Sequence, residues 1–521
     1  MSVEVPAPGA TLETPAGRPR VPWAALAVAG ILVVTVALRF RTTSDLWLDE
    51  ALSVNIARLP LSQLHGALRH DGAPPLYYAL LHFWIRAFGV GNLAVRSLSG
   101  LISVATLPVA WFAGKRLGGR RVGWLAVLVV AASPYAVTYA TSARMYALVM
   151  LLVFVGYLMV LRALEQPRLG RLAPVALVTA LLVYTQYWCF YLLAVAGFLL
   201  VVRAVRVGPG EVRRATTRVV GAVVVGGLTF IPWLPTFVYQ AGHTGTPWGN
   251  ARVPWSAVAD TILRFAGSDQ NGETFILIFV LVTLVVFGIF GRGRDGHTVE
   301  LDLRTQPGTR REALLVAGTL GLGTTASFVL GSAFDARYAS VMFPFFALLA
   351  AVGISLFVDR RVRAGVLAAV VAVGIVGGVR NYTTNRTQAS QSTSIIAAES
   401  RPGDVVAYCP DQVGPSASRL LRTVPGLVQL TFPDGGSPDR VNWVDYVDRI
   451  QAASPQRFAN RVLNLAGSHT IWFVYAYGYN HVEGKCEAIT AALSQARPHS
   501  SPRVVPNDMF DEFMGLTVYR P

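Results

Sequence analysis

The sequence predicts an α-helical polytopic membrane protein with a small C-terminal α/β domain, and three observations predict it. Hydrophobic residues make up 53% of the 521 residues, charged residues only 14%, and the mean hydropathy is +0.47. Ordinary soluble chains carry about 25% charged residues. Apolar runs of roughly 17–25 residues, enough to cross a hydrocarbon core, recur from the first quarter of the chain to residue 379. After Asn381 the composition turns soluble, and at this length two or more units are expected.

The apolar runs fall at 22–38, 93–113, 122–140, 145–161, 172–186, 188–202, 219–238, 274–290, 313–332, 341–357 and 364–379. The first is not read as a cleavable signal, because it follows a Pro-rich tail and has no small-residue cleavage site. The formal net charge of +16 could suggest nucleic acid, but its placement argues against that partner. The basic residues are nearly all Arg, with only Lys115 and Lys485 as lysines, and they cluster between runs. "GKRLGGRR" (114–121), 162–171, 203–218, 291–312, "DRRVR" (359–363) and the pair Arg18 and Arg20 form one alternate set. The intervening short segments hold fewer than half as many basic residues. By the positive-inside rule this places the tail, residues 1–20, in the cytoplasm and the C-terminal domain outside.

Two outward segments are too long for turns. In 39–92, "EALSVNIARL" and "PLYYALLHFWIRAFG" read as helices lying at the membrane interface. The second segment, 239–273, carries Trp248 and Trp255, residues suited to that interface. The C-terminal domain spans 381–521 and reads as strands at 404–409, 470–478 and 516–521, with helices over "PSASRLLRT" and "CEAITAALSQA". Cys409 and Cys486 lie in this domain; an oxidising exterior would permit a disulfide, and two buried thiols are the alternative. Cys189 lies within a span and reads as packing.

The chemistry gathers at the outward ends of the spans. "SDLWLDEALS" (44–53) puts Asp49 and Glu50 where the chain leaves the first span. Such a pair can simply begin a helix, but charges near membrane depth are costly and concentrate at functional sites. The same loop carries His70 and Asp71 in "RHDGAPPLYY" (69–78), before a Pro74–Pro75 pair that forces an extended entry into a helix. Arg96 heads the second span. Arg144 and Tyr146 interrupt the apolar runs in "TYATSARMYALVM" (138–150), and Arg337 and Tyr338 lie in "FDARYASVMFPF" (334–345). Arg144 could merely snorkel at a hairpin tip. Together with the carboxylates the arginines suit another role, in which a carboxylate takes a hydroxyl proton as general base and guanidinium groups hold a departing phosphate.

"LWLDEALS", "HDGAPPLYYALLHFWIRAFG", "AVRSLSGLISVATLPVAWFAGKRLGG", "SPYAVTYATSARMYAL" and "ARYASVMFPFFALLAA" follow in that order. This succession resembles the C-type (GT-C) membrane glycosyltransferases. Within them it is similar to the branch of protein O-mannosyltransferases and lipid A aminoarabinose transferases (glycosyltransferase family 39-like), in an actinobacterial form. The resemblance covers about residues 20 to 360. It implies a GT-C fold of about eleven transmembrane helices and transfer of a sugar from a polyprenyl-phosphate donor to an acceptor hydroxyl on the outer face of the cytoplasmic membrane. By that resemblance Asp49 is the base with Glu50 beside it, and Asp71 is the second acidic position, preceded by His70. Arg144, Tyr146, Arg337 and Tyr338 are then donor-phosphate contacts, with Arg96 nearby. The C-terminal domain does not resemble those two subfamilies, which leaves the acceptor open among a glycan, a lipoglycan and a protein.

The implied reaction is a single displacement with inversion at the anomeric carbon, with mannose the first expectation for the sugar and arabinofuranose the second. No cofactor is assigned; a divalent metal on Asp49 and Asp71, with His70 at its edge, is a candidate. The chain has no P-loop, no Rossmann glycine fingerprint and no zinc-spaced Cys/His set, which fits a donor held by lipid and phosphate. A lipid or sugar flippase would instead place charges at span centres and show internal repeats. A noncatalytic envelope scaffold would tolerate loss of Asp49.

Overall fold

A computed structural model describes residues 23–245, 251–267, 272–294 and 298–521. The tail 1–20, with Arg18 and Arg20, and the interfacial Trp248 lie outside the described residues. Six helices are long and apolar enough to cross a membrane, and four shorter apolar helices accompany them. One of the six, Asn92–Ala132, turns back on itself at Gly118 and Gly119 and makes two passes. The eleven apolar runs expected from the sequence are therefore all helical among the described residues, and the chain is a membrane protein.

The N-terminal elements position the site. Helix α1 (Trp23–Leu38) is the first pass, and α2 (Leu48–Ala57), α3 (Leu61–Asp71) and α4 (Leu76–Phe88) build the first long loop. Helix α5 (Asn92–Ala132) is the doubled pass, and α6 (Pro134–Ala140) and α7 (Tyr146–Glu165) flank the Arg144 turn. The reversal in α5 needs glycine, because Gly119 takes φ 79°, where a Cβ is strained. Its arms then pack closely: a Cβ on Gly114 would lie 2.8 Å from the Val122 carbonyl oxygen. The second arm ends at Ser133, whose hydroxyl accepts from the Ala136 amide at 3.3 Å and caps α6. Arg39, fully buried, donates to the Val130 and Ala131 carbonyls at 2.9 Å each, satisfying groups that the helix end leaves open.

The loop helices differ from expectation in one respect. Helix α4 does present an apolar face, exposing Phe83 and Phe88. Helix α2 does not lie in the interface: Glu50 through Ala57 are all buried, enclosed between the membrane bundle and the C-terminal domain. The tertiary structure supplies apolar surface to every side of α2. Its own pattern, which is apolar on one side only, gave no sign of that.

The later passes are joined by a short hairpin of β1 (Gly291–Gly293) and β2 (Val299–Leu301), paired antiparallel. In the second long loop, the helix Pro254–Ala266 buries Ala257, Thr261 and Phe265 and leaves Trp255 exposed.

The C-terminal domain is a five-stranded sheet of β3 (Val405–Cys409), β4 (Val428–Thr431), β5 (Ile471–Tyr475), β6 (Ser500–Val504) and β7 (Gly515–Tyr519), in the order β4-β3-β5-β7-β6. Strands β4, β3 and β5 are parallel, and β7 runs antiparallel between β5 and β6. Apolar clusters cover both faces, which is why β3, β5 and β7 read as uninterrupted apolar runs. Cys409, ending β3, is disulfide-bonded to Cys486 on the helix Lys485–Ala496, and Cys189 is free and buried.

The domain docks on the face that carries α2 to α4. The Trp443 amide donates to the His70 carbonyl at 3.0 Å and the Asp445 amide to the His243 carbonyl at 2.8 Å. Arg386 reaches back into the bundle, its amide on Ser44 Oγ at 2.9 Å and its guanidinium on Thr141 Oγ1 at 3.0 Å.

Candidate active site

Three chain turns converge beside the start of α2. Asp49 lies in its first turn; Arg144 lies between α6 and α7; Arg337 lies in the 3-10 segment Ala336–Val341. The last two turns are each held by a tyrosine from the helices around them. The Tyr135 hydroxyl reaches the Ala336 carbonyl at 3.3 Å, and Tyr77 holds Ser99, whose hydroxyl donates to the Arg144 carbonyl at 3.3 Å. The site is therefore mounted on packed helices and does not depend on loop stiffness.

Asp49 Oδ2 accepts from Arg337 Nη1 at 2.5 Å and lies 3.9 Å from Arg144 Nε. These side chains retain 16%, 14% and 13% exposure, so they are desolvated yet open on one side. Arg337 is itself flanked: Asp335 Oδ2 lies 3.3 Å from its Nε, and the rings of Trp47 and Tyr338 each lie 5.8 Å from its guanidinium carbon. Asp335 also accepts from the Arg337 amide at 2.9 Å, which fixes the turn. Tyr338 stacks on Trp188, ring centres 6.0 Å apart.

Asp71 joins this group at one remove. Its Oδ2 accepts from the Tyr78 hydroxyl at 2.7 Å, and Arg144 Nη1 contacts both that hydroxyl, at 3.3 Å, and Ser53 Oγ, at 3.2 Å. Burial raises the Asp71 carboxyl above the usual carboxylate range, with Arg144 and the Tyr78 hydroxyl pulling the other way. Four buried donors at the site have no hydrogen-bond partner among the described residues: Arg144 Nε, Arg337 Nε, the Tyr146 hydroxyl and Trp47 Nε1. Unpaired buried donors cost free energy, and a cluster of them beside two arginines is a place prepared for an anion.

Glu50 and Arg96, expected at the site, are elsewhere engaged. Glu50 is fully buried and takes Arg96 on both oxygens, at 2.8 and 2.5 Å, and the Ala143 amide at 2.8 Å. The remaining Arg96 donors go to the Ser44 and Asp45 carbonyls at 2.6 and 2.9 Å. Burial alone would raise the Glu50 carboxyl; the Arg96 guanidinium outweighs it and holds the group below its usual value. Glu50 thus pins α2 and the Ala143–Arg144 turn together and has no oxygen to offer a substrate. His70 lies at the exposed end of α3, and its carbonyl, not its ring, makes the domain contact described above.

The donor set suits a divalent cation poorly. The described residues contain no group of three or more His, Cys, Asp or Glu that could hold a metal ion, and Asp49 already faces two guanidinium groups. Sequence reasoning missed Asp335, Ser53 and Tyr78. Asp335 stands two residues before Arg337 and Ser53 one helical turn after Asp49, a spacing that could have found them.

Residues 72–235 match the family model described as dolichyl-phosphate-mannose-protein mannosyltransferase. None of the curated proteins matches the chain. Two solved structures of ArnT from Cupriavidus metallidurans are similar to it, each 14% identical. The apo form superposes with a TM-score of 0.60, covering 95% of this chain and 97% of that one. The form bound to undecaprenyl phosphate gives 0.57, covering 95% and 98%. At this identity the likeness speaks for the fold, and it extends over the bundle and the C-terminal domain together. The chain shares the fold of these two structures over almost its whole length.

Proposed function

We propose that this protein is a polyprenyl-phosphate-sugar-dependent glycosyltransferase of the cytoplasmic membrane, working on its outer face. The observation that carries the reading is the Asp49 site: a half-open carboxylate gripped by Arg337 and Arg144, ringed by buried donors that lack partners among the described residues. In this arrangement the arginines pair with Asp49. A donor phosphate would offer them more charge and more oxygens, draw them off, and free Asp49 to accept a hydrogen bond from an acceptor hydroxyl.

Transfer then follows as one displacement. The acceptor oxygen attacks the anomeric carbon from the face opposite the phosphate, the new C–O bond forms as the sugar–phosphate bond breaks, and configuration inverts. Asp49 takes the hydroxyl proton. The bond electrons leave with polyprenyl phosphate, whose growing charge Arg144 and Arg337 stabilise, with the Tyr146 hydroxyl and Trp47 Nε1 in reserve. Asp71 orients Arg144 through Tyr78. No step is routed through a metal. Mannose is the first sugar to test, supported by the family model over residues 72–235, and arabinofuranose the second. The acceptor is a glycan, lipoglycan or protein reached from the side of the C-terminal domain, where the Cys409–Cys486 disulfide suits an oxidising compartment.

The test is donor consumption by membranes containing the protein, across a panel of polyprenyl-phosphate sugars with matched acceptors. The proposal expects at least one donor to be consumed by the wild type. Failure to consume any donor across the panel would overturn it.

A further inference from the structure

The helix that carries Asp49 begins without a cap of its own. Its N-cap residue, Trp47, provides no side-chain hydrogen bond to the first turn; its carbonyl takes the Glu50 and Ala51 amides, and the Leu48 amide before them has no helical partner. The partner comes from the far end of the chain. Glu512 Oε2 accepts from the Leu48 amide at 3.1 Å, across 464 residues of sequence.

Glu512 is built to stay there. It is 1% exposed, and its other oxygen accepts from Ser416 Oγ at 2.6 Å. Its backbone is pinned at both ends, the amide on the Arg386 carbonyl at 2.8 Å and the carbonyl on the Gln388 amide at 3.0 Å. Further along α2, Leu52 belongs to the apolar core of the C-terminal domain, together with Phe432, Trp443 and Tyr475. Asn55, near the end of α2, donates to the Asp439 carbonyl at 2.7 Å and accepts from Arg422 at 2.6 Å. The soluble domain thus grips α2 at its start, middle and end, while Glu50 ties its other side to the bundle.

We propose that Glu512 is a positioning residue for the transfer reaction: by capping α2 from the C-terminal domain it sets where Asp49 stands relative to Arg144 and Arg337. The inference rests on the transferase reading above. Glu512 touches neither donor nor acceptor. It acts through the Leu48 amide, one residue before the base. A carboxyl group is the natural group for this place, because one oxygen meets the open Leu48 amide while the other is held by Ser416. Displacing a base by about 1 Å can cost on the order of 100-fold in rate without altering how the substrate is held.

The test compares wild type, Glu512→Ala, Glu512→Gln and Asp49→Asn in the same membrane preparation. Donor turnover and hydrogen–deuterium exchange of the segment containing Leu48 are read together. Glu512→Ala is expected to lower kcat by about 10–100-fold with donor KM within about twofold of wild type, and to speed exchange at Leu48. Glu512→Gln keeps an oxygen for the Leu48 amide, and its NH2 donates to Ser416 Oγ once that hydroxyl rotates to accept, so it should restore both readouts. Wild-type kcat in Glu512→Ala, or a Gln variant as impaired as the Ala variant, would overturn the proposal. So would a loss of activity tracking a lower melting temperature. A wild type without turnover overturns the transferase reading instead, and the exchange arm then decides by itself whether Glu512 holds α2.

Discussion

Asp49 and Glu50 are neighbours in sequence and opposites in structure. Glu50 and Arg96 are 0% and 4% exposed, bidentate, and leave no oxygen or nitrogen of the pair idle. Asp49 shares its oxygen with two arginines at 16% exposure, and the donors around it are left over. A saturated buried pair is held for shape, and an unsaturated, half-open one is available for chemistry. Along one helical turn, the same two residue types serve both ends.

That contrast can be broken from either side. The largest expected effect is on turnover: Asp49→Asn should lose about 10²–10⁴-fold in kcat, read as donor consumption, with the protein still folded. Next is stability. Glu50→Gln leaves Arg96 buried without its counter-charge and should cost on the order of 3–5 kcal/mol, seen as a lower melting temperature in detergent. The double variant Glu50→Gln/Arg96→Met should recover much of it, and Asp49→Asn should show no such loss. A smaller effect is expected from Arg337→Met, which removes one charge-assisted contact to phosphate. Donor KM should rise by about 10–100-fold, equivalent to roughly 1.5–3 kcal/mol.

The smallest is a pH effect at the domain contact. Burial pushes the Glu512 carboxyl up to about 8, with hydrogen bonds from Ser416, Thr387 and the Leu48 amide pulling it down and the Asp49 charge adding to the rise. The folded state then holds a proton that the unfolded chain has released, so stability falls as pH climbs from the ordinary carboxylate range through about 8. Asp411, pushed up to about 7 by burial, contributes with the same sign. Melting curves between about pH 6 and about pH 9 should therefore slope downward less in Glu512→Gln than in the wild type.

The division between legible and hidden features follows from what fixes each. The eleven apolar helical runs were legible because hydrocarbon demands long apolar stretches, and the basic clusters between them mark the loops. Strands β3, β5 and β7 were legible as buried runs. Strands β4 and β6 were not, since "VQLT" and "SSPRV" are short and polar on an edge. Asp49, Arg144 and Arg337 could be named because charges at membrane depth are rare enough to stand out. Their neighbours could not be told apart in the same way. Whether Glu50 faces a substrate or Arg96, 46 residues on, is decided by tertiary packing. Glu512 lay beyond any local pattern, because the cap it supplies belongs to a helix at the other end of the chain.

The central claim is that Asp49 performs chemistry while Arg144 and Arg337 hold the donor. It is tested most directly by separating the two in one variant. Purified wild type and Asp49→Asn would be mixed, protein in excess, with a sugar donor found active in the panel, and bound donor and released polyprenyl phosphate measured in a single turnover. The account predicts that the Asp49→Asn variant binds the donor at least as well as wild type and releases almost no polyprenyl phosphate. Release at the wild-type rate would contradict it.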